Sequence, residues 1–142
     1  VFSQASTTDQ VTLLPSTSVS GAGTVTGSAY SVPGCRTAVA FTLDVTSAAT
    51  GGTDTLDVTV QGKVSGTWID VCHFTQVTGT DSMPESIVAK VVGGVAEAMY
   101  KGSTALSAGS LKNILCDQYR VKYTTVDVGG AAFTFSVTAQ AM

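Results

Sequence analysis

The stretch that decides the fold covers residues 55–75 and reads TLDVTVQGKVSGTWIDVCHFT. Leu56, Val58 and Val60 alternate with Thr55, Asp57, Thr59 and Gln61. Side chains alternate across a strand, so the apolar set faces a core and the polar set faces outward. Residues 62–66 carry two glycines and read as a hairpin turn. Residues 67–75 then return as the partner strand, opening on Trp68. In that return Ile69 and Val71 share one face, while Cys72 and Phe74 share the other. Apolar residues on both faces predict a strand buried on both sides, or a bulge that shifts its parity.

The same alternation recurs on either side of this hairpin. Residues 36–46 place Val39, Phe41, Leu43 and Val45 on one face, against Ala38, Ala40, Thr42 and Asp44. Residues 113–124 place Leu115, Asp117, Tyr119, Val121 and Tyr123 against Cys116, Gln118, Arg120 and Lys122. Residues 132–138 point Phe133, Phe135 and Val137 inward, and residues 86–92 form a further strand. A first strand spans 10–14 and stops at Pro15. Residues 24–26 are a weak edge strand or part of a loop. Turns fall at Pro33 and Gly34, at 49–54, and at Gly129 and Gly130. Residues 95–100 fit either a strand or a short helix, and the small residues of 103–109 predict an exposed, mobile loop.

About eight strands rich in β-branched residues, separated by Gly-rich breaks, give an all-β chain. Their apolar faces are best buried in two packed antiparallel sheets. The predicted architecture is a jelly-roll-like β-sandwich spanning 10–142 as one domain, preceded by a flexible N-terminal arm, 1–9. A length of 142 residues suits one domain with a substantial core.

Composition narrows the function. Charged residues make up 12% of the chain, about half the usual share, against 44% hydrophobic, and the net charge is −3. Ser, Thr, Gly and Ala must therefore cover much of the surface. The seven basic residues are scattered; only Arg120 and Lys122 lie close together, on one face of a strand. An acidic chain without a basic stripe is not built to hold phosphates, so no nucleic-acid partner is expected. No apolar run approaches the ~20 residues that span a bilayer, so no membrane helix is expected. Residues 1–10 lack the basic and apolar regions of a signal peptide, although a cleaved one could precede them. Cys35, Cys72 and Cys116 are odd in number and far apart. They read as reduced, buried small hydrophobes, or as one disulfide plus one thiol.

Candidate chemistry is sparse. His73 follows Cys72, but adjacent strand residues point to opposite faces and cannot form a nucleophile–base pair. Cys35 or Cys116 could approach His73 only through the fold. Asp54 and Asp57 lack a nearby His or Cys in sequence, and no calcium-loop spacing occurs. Asp44, Asp57, Asp70 and Asp117 are scattered over several strands, as in almost any sandwich. Trp68 with Tyr119 and Tyr123 could form a sugar-stacking platform, although a lone Trp at a strand start more simply caps a core. No catalytic, cofactor-binding or metal-binding residue is assigned, and no cofactor is expected.

One resemblance is more specific. TLDVTVQ (55–61), a Gly-containing turn, Trp68-Ile69-Asp70, FTQVTGT (74–80), YRVKYT (119–124) and FTFSV (133–137) follow one another in order. This pattern resembles small structural proteins encoded among the head genes of tailed bacteriophages. It covers about the C-terminal two thirds, and residues 93–113 look longer than the family pattern. The resemblance implies a non-enzymatic capsid decoration (auxiliary) protein in the virion, assembled in the host cytoplasm. Its implied partner is the major capsid protein of the head, and it implies a homo-oligomer, with a trimer as one form. Another virion part (tail tube, connector or fibre-associated domain) and a secreted carbohydrate-binding module using Trp68 stay open as alternatives.

Overall fold

A computed structural model describes residues 10–32, 37–48, 53–94, 101–126 and 132–142. The strands are β1 (Gln10–Val19), β2 (Gly23–Thr26), β3 (Tyr30–Ser31), β4 (Ala38–Ser47), β5 (Thr55–Val64), β6 (Thr67–His73), β7 (Val77–Thr78), β8 (Glu85–Val92), β9 (Ser110–Leu111), β10 (Gln118–Val126) and β11 (Phe133–Ala141). They form two antiparallel sheets. The first has the order β1-β11-β4-β8; the second has the order β2-β10-β5-β6-β9, with β3 against β10 and β7 against β5.

Set aside the two-residue strands β3, β7 and β9, and eight remain. Counted along the chain, they run 1-8-3-6 in one sheet and 2-7-4-5 in the other. That is the order of a jelly roll, two Greek keys folded face to face. The expectation of an eight-stranded jelly-roll sandwich therefore holds, with three short strands added.

Alternation explains why the sheets stack. On β4, Val39, Phe41, Leu43 and Val45 are fully buried, and on β11 Phe133, Phe135 and Val137 lie beside them. From the second sheet, Leu56, Val58, Val60, Tyr119, Val121 and Tyr123 close the core. Two edge-to-face aromatic pairs span it, Phe41 with Tyr119 at 5.0 Å and Tyr123 with Phe135 at 5.2 Å. Tyr119 buries its ring, and its hydroxyl oxygen accepts the Cys116 N–H at 2.8 Å.

The 55–75 hairpin forms as read, with a tighter turn. β5 runs on to Val64, and the two turn residues are Ser65 (φ 50) and Gly66 (φ 81). Positive φ at both positions is the two-residue geometry whose twist matches the flanking strands. The mixed faces of β6 resolve into a bulge. Val60 pairs with Cys72 and Gln61 with Asp70, so Val71 is the extra residue.

Several boundaries differ from the sequence reading. β1 passes through Pro15 to Val19, because it is an edge strand whose register shifts on both sides of Leu14; Pro is tolerated there since no ladder donor is required. Residues 113–117 precede β10 rather than belonging to it: the strand begins at Gln118, and the Ile114 N–H donates to the Lys112 carbonyl. Residues 24–26 do form a strand, β2. The predicted arm 1–9, the turns at Pro33–Gly34 and 129–130, Arg36 at the start of the 36–46 strand, Cys35, and the 95–100 segment lie outside the described residues.

Candidate functional site

The polar residues with chemical potential gather on the outer face of the second sheet. β5 sends out Asp57, Thr59, Gln61 and Lys63, and β10 sends out Arg120, Lys122 and Thr124. β6 adds Trp68 opposite Lys63, Asp70 opposite Gln61, and His73 opposite Thr59. Asp70 and His73 are three apart and would normally point to opposite faces. The Val71 bulge changes the parity and brings both outward.

These groups form one continuous chain of hydrogen bonds. Arg120 Nε donates to Gln61 Oε1 at 2.8 Å, and Gln61 Nε2 donates to Asp70 Oδ1 at 2.8 Å. Asp70 Oδ2 accepts the Leu106 N–H at 3.1 Å. The Leu106 carbonyl lies 2.8 Å from His73 Nδ1, and His73 Nε2 lies 3.0 Å from Asp57 Oδ1. Gln76 Nε2 donates to the other Asp57 oxygen at 2.8 Å. A carbonyl oxygen only accepts, so Nδ1 carries a proton.

The network holds the loop before β9. Asp70 and His73 grip both backbone groups of Leu106, the Gly109 N–H donates to the His73 carbonyl, and the Lys112 N–H to the Val71 carbonyl. The 103–109 loop is exposed, as its composition predicts, but it is strapped to β6 at Leu106. The described part of the long 93–113 stretch thus covers the edge of β6 and adds β9 to the sheet.

The other sequence candidates do not converge. Cys72 faces inward opposite Val60, while His73 faces outward. Burial pushes the Cys72 thiol up from 9.0 to about 12, so it carries no thiolate at neutral pH. Asp54 is fully buried, whereas Asp57 is bonded to His73 and Gln76 on the outer face. Spacing alone missed the His73 that sits beside Asp57, because the contact crosses between strands. Asp44 lies on the outer face of the other sheet and accepts from Ser86 Oγ. Asp117 borders a shallow depression with Ser31, Lys63, Gly66 and Gln118. Among the described residues, no three His, Cys, Asp or Glu side chains gather as a metal site.

The aromatic platform is not assembled. Tyr119 and Tyr123 are buried on the inner face, while Trp68 is on the outer face. The Trp68 ring is itself engaged: the Arg120 guanidinium stacks 4.4 Å from its centroid, and the Lys63 ammonium lies 5.8 Å away. Arg120 therefore bridges the ring and the Gln61 carbonyl, which accounts for its orientation.

The first sheet presents a different outer face. Thr12, Thr138, Thr42 and Val88 lie side by side in one row; Gln10, Gln140, Ala40 and Lys90 form the next; Ser136, Asp44 and Ser86 form a third. Its charged residues in these rows are Asp44 and Lys90; the rest are hydroxyl, amide or small apolar side chains. A cleft of about 220 Å³ opens at its β8 edge, lined by Phe74, Ile87, Ala89 and Leu111 among others. No protein-family model matches the chain, and no curated protein shows significant similarity to it.

Proposed function

We propose that the chain is a non-enzymatic virion structural protein of a tailed bacteriophage, a decoration protein that binds and stabilises the head. The observation that carries this reading is the ordered strand pattern of residues 55–80, 119–124 and 133–137. Those residues build the central strands β5, β6, β10 and β11 of a jelly roll. Jelly rolls serve both viral shells and lectins, so the fold supports the class by analogy.

Two further features support action by contact. The polar groups best suited to chemistry, Asp57, Asp70 and His73, spend their bonding capacity on holding a loop. The opposite sheet offers a face mainly of hydroxyl, amide and methyl groups, with Asp44 and Lys90 the charges in its three rows, where contact requires little desolvation of charge. The major capsid protein is the partner in this reading, and the virion is the location. A homo-oligomer would multiply individually weak contacts through avidity.

The test is a binding titration of the purified chain against heads that lack it. The reading predicts saturation at a stoichiometry set by the head lattice. Binding to purified tails and not to heads would place the protein elsewhere in the virion, and binding to neither would overturn the reading.

A further inference from the structure

The four edges of the two sheets are not equally protected. β1 carries Pro15 and two register shifts. In the second sheet the edges are the short β2, β3, β7 and β9, together with the start of the bulged strand β6, which β9 does not cover. β8 differs: it is eight residues long, its ladder with β4 has no shift, and no described residue pairs with its other side. A long regular edge of this kind is a template for another strand.

Its hydrogen bonds define what fits. The Gly93 N–H donates to the Thr37 carbonyl at 2.8 Å, toward β4. The Val92 N–H points the other way and donates to Asn113 Oδ1 at 3.1 Å. Backbone groups alternate sides along an antiparallel strand. The N–H and C=O groups of Ser86, Val88 and Lys90 therefore face the open edge. At one end Asn113 already takes the Val92 donor, and at the other Pro84 has none to offer. The open set, 86, 88 and 90, is symmetric about Val88.

We infer that the partner for this edge is β8 of a second copy, paired antiparallel across a twofold axis at Val88. In that register Val88 meets Val88, and Ser86 meets Lys90 in both directions. Each of these is a hydrogen-bonded pair, giving about six backbone bonds in all. Val88 is 64% exposed in the isolated chain, the most exposed large hydrophobic residue described, and the pairing covers it.

Charge fits as well. Asp44 lies next to Ser86 in the β4–β8 ladder. Lys90 of the second copy, opposite Ser86, then stands about 10 Å from Asp44 at Cα, within reach of its ammonium. The pair forms twice by symmetry. Within one chain Lys90 is opposite Ala40 instead, four positions along β4 from Asp44. On the inner side, Ile87 of each copy meets Ala89 of the other, over the apolar cleft lined by those residues. The result is a continuous eight-stranded sheet, and it holds whether or not the protein acts on a phage head.

The test is register-specific cross-linking of the full chain, with the wild type alongside as a control for its own thiols. Val88→Cys is expected to oxidise to a covalent dimer. Ser86→Cys alone and Lys90→Cys alone are expected not to, while their mixture does. Sedimentation should give twice 14.4 kDa for the wild type. Lys90→Glu should weaken association about tenfold or more, and Asp44→Lys combined with Lys90→Glu should restore it. All four positions are at least partly exposed, and circular dichroism checks the fold of each variant. A monomer at about 200 µM, a trimer without Val88→Cys cross-linking, or Ser86→Cys self-linking as fast as Val88→Cys would each overturn the inference.

Discussion

Substituting Gly62 with Ala tests the packing of the central hairpin against the chain that leads into β10. Gly62 lies on β5 opposite Tyr119 and Ile69. A Cβ built there collides with Cys116 Sγ, and sits 3.1 Å from Cys116 Cβ and 3.3 Å from Tyr119 Cε1. Both neighbours are constrained. Cys116 is buried, and Tyr119 is fully buried with its hydroxyl bonded to the Cys116 N–H. Tyr119 cannot swing away without disturbing its contact with Phe41. Overpacking of a rigid core by one methyl costs about 1–3 kcal/mol. Gly62→Ala should therefore lose about 2 kcal/mol, or about 8 °C in Tm for a chain of this size. Cys116→Ala removes the colliding sulfur and by itself should cost about 1 kcal/mol. In the double variant the two changes should compensate, with a coupling of about 1 kcal/mol or more. Urea unfolding of all four proteins measures the cycle. A Gly62→Ala loss below about 0.5 kcal/mol, or strict additivity, would show that this contact is not as tight as described.

Asp70→Ala removes the acceptor for the Leu106 and Gln61 donors, so stability should fall by about 1–3 kcal/mol. Tryptic cleavage after Lys101 should quicken at the same time; an unchanged rate would mean that the strap does not restrain the loop. The raised pKa of Cys72 makes the folded chain hold a proton that the unfolded chain releases above pH 9. Stability should then fall from pH 9 toward 12 by up to about 1.4 kcal/mol per pH unit, with no contribution from this thiol below pH 9. Cys72→Ala should show a shallower fall over that range, and equal slopes in the two proteins would contradict the assignment. Trp68→Ala should leave a glycan array as silent as the wild type, while stability drops because Arg120 loses its stacking partner. Glycan binding abolished by this change would revive a lectin role.

Most of the framework was legible because its strands alternate cleanly. On β10 and β11 one face is buried and the other is not; β4 and β5 keep the same apolar period, although Ala38, Ala40, Thr59 and Gln61 on their other faces are buried too. Strand number and turn spacing point to a sandwich, and the order that makes it a jelly roll comes from the strand pairing. What stayed hidden depends on pairing. Pro15 looked like a stop, and only the position of β1 at a sheet edge makes it acceptable. The mixed faces of residues 67–75 signalled a bulge but not its location. That location decides the site, since only the extra residue Val71 lets Asp70 and His73 grip Leu106 together. The His73–Asp57 contact joins residues 16 apart on neighbouring strands, so no local motif announces it. Tyr119 and Tyr123 were read on one face, correctly, but on the face opposite Trp68, which is why the platform does not form.

The role proposed for this jelly roll is contact with a phage head. Cryo-electron microscopy of heads assembled with and without the gene for this chain tests it most directly. For a decoration protein, difference density the size of a 14.4 kDa sandwich is expected at regular lattice positions on the shell. Identical heads, with the chain absent from the shell or confined to the tail, would contradict it.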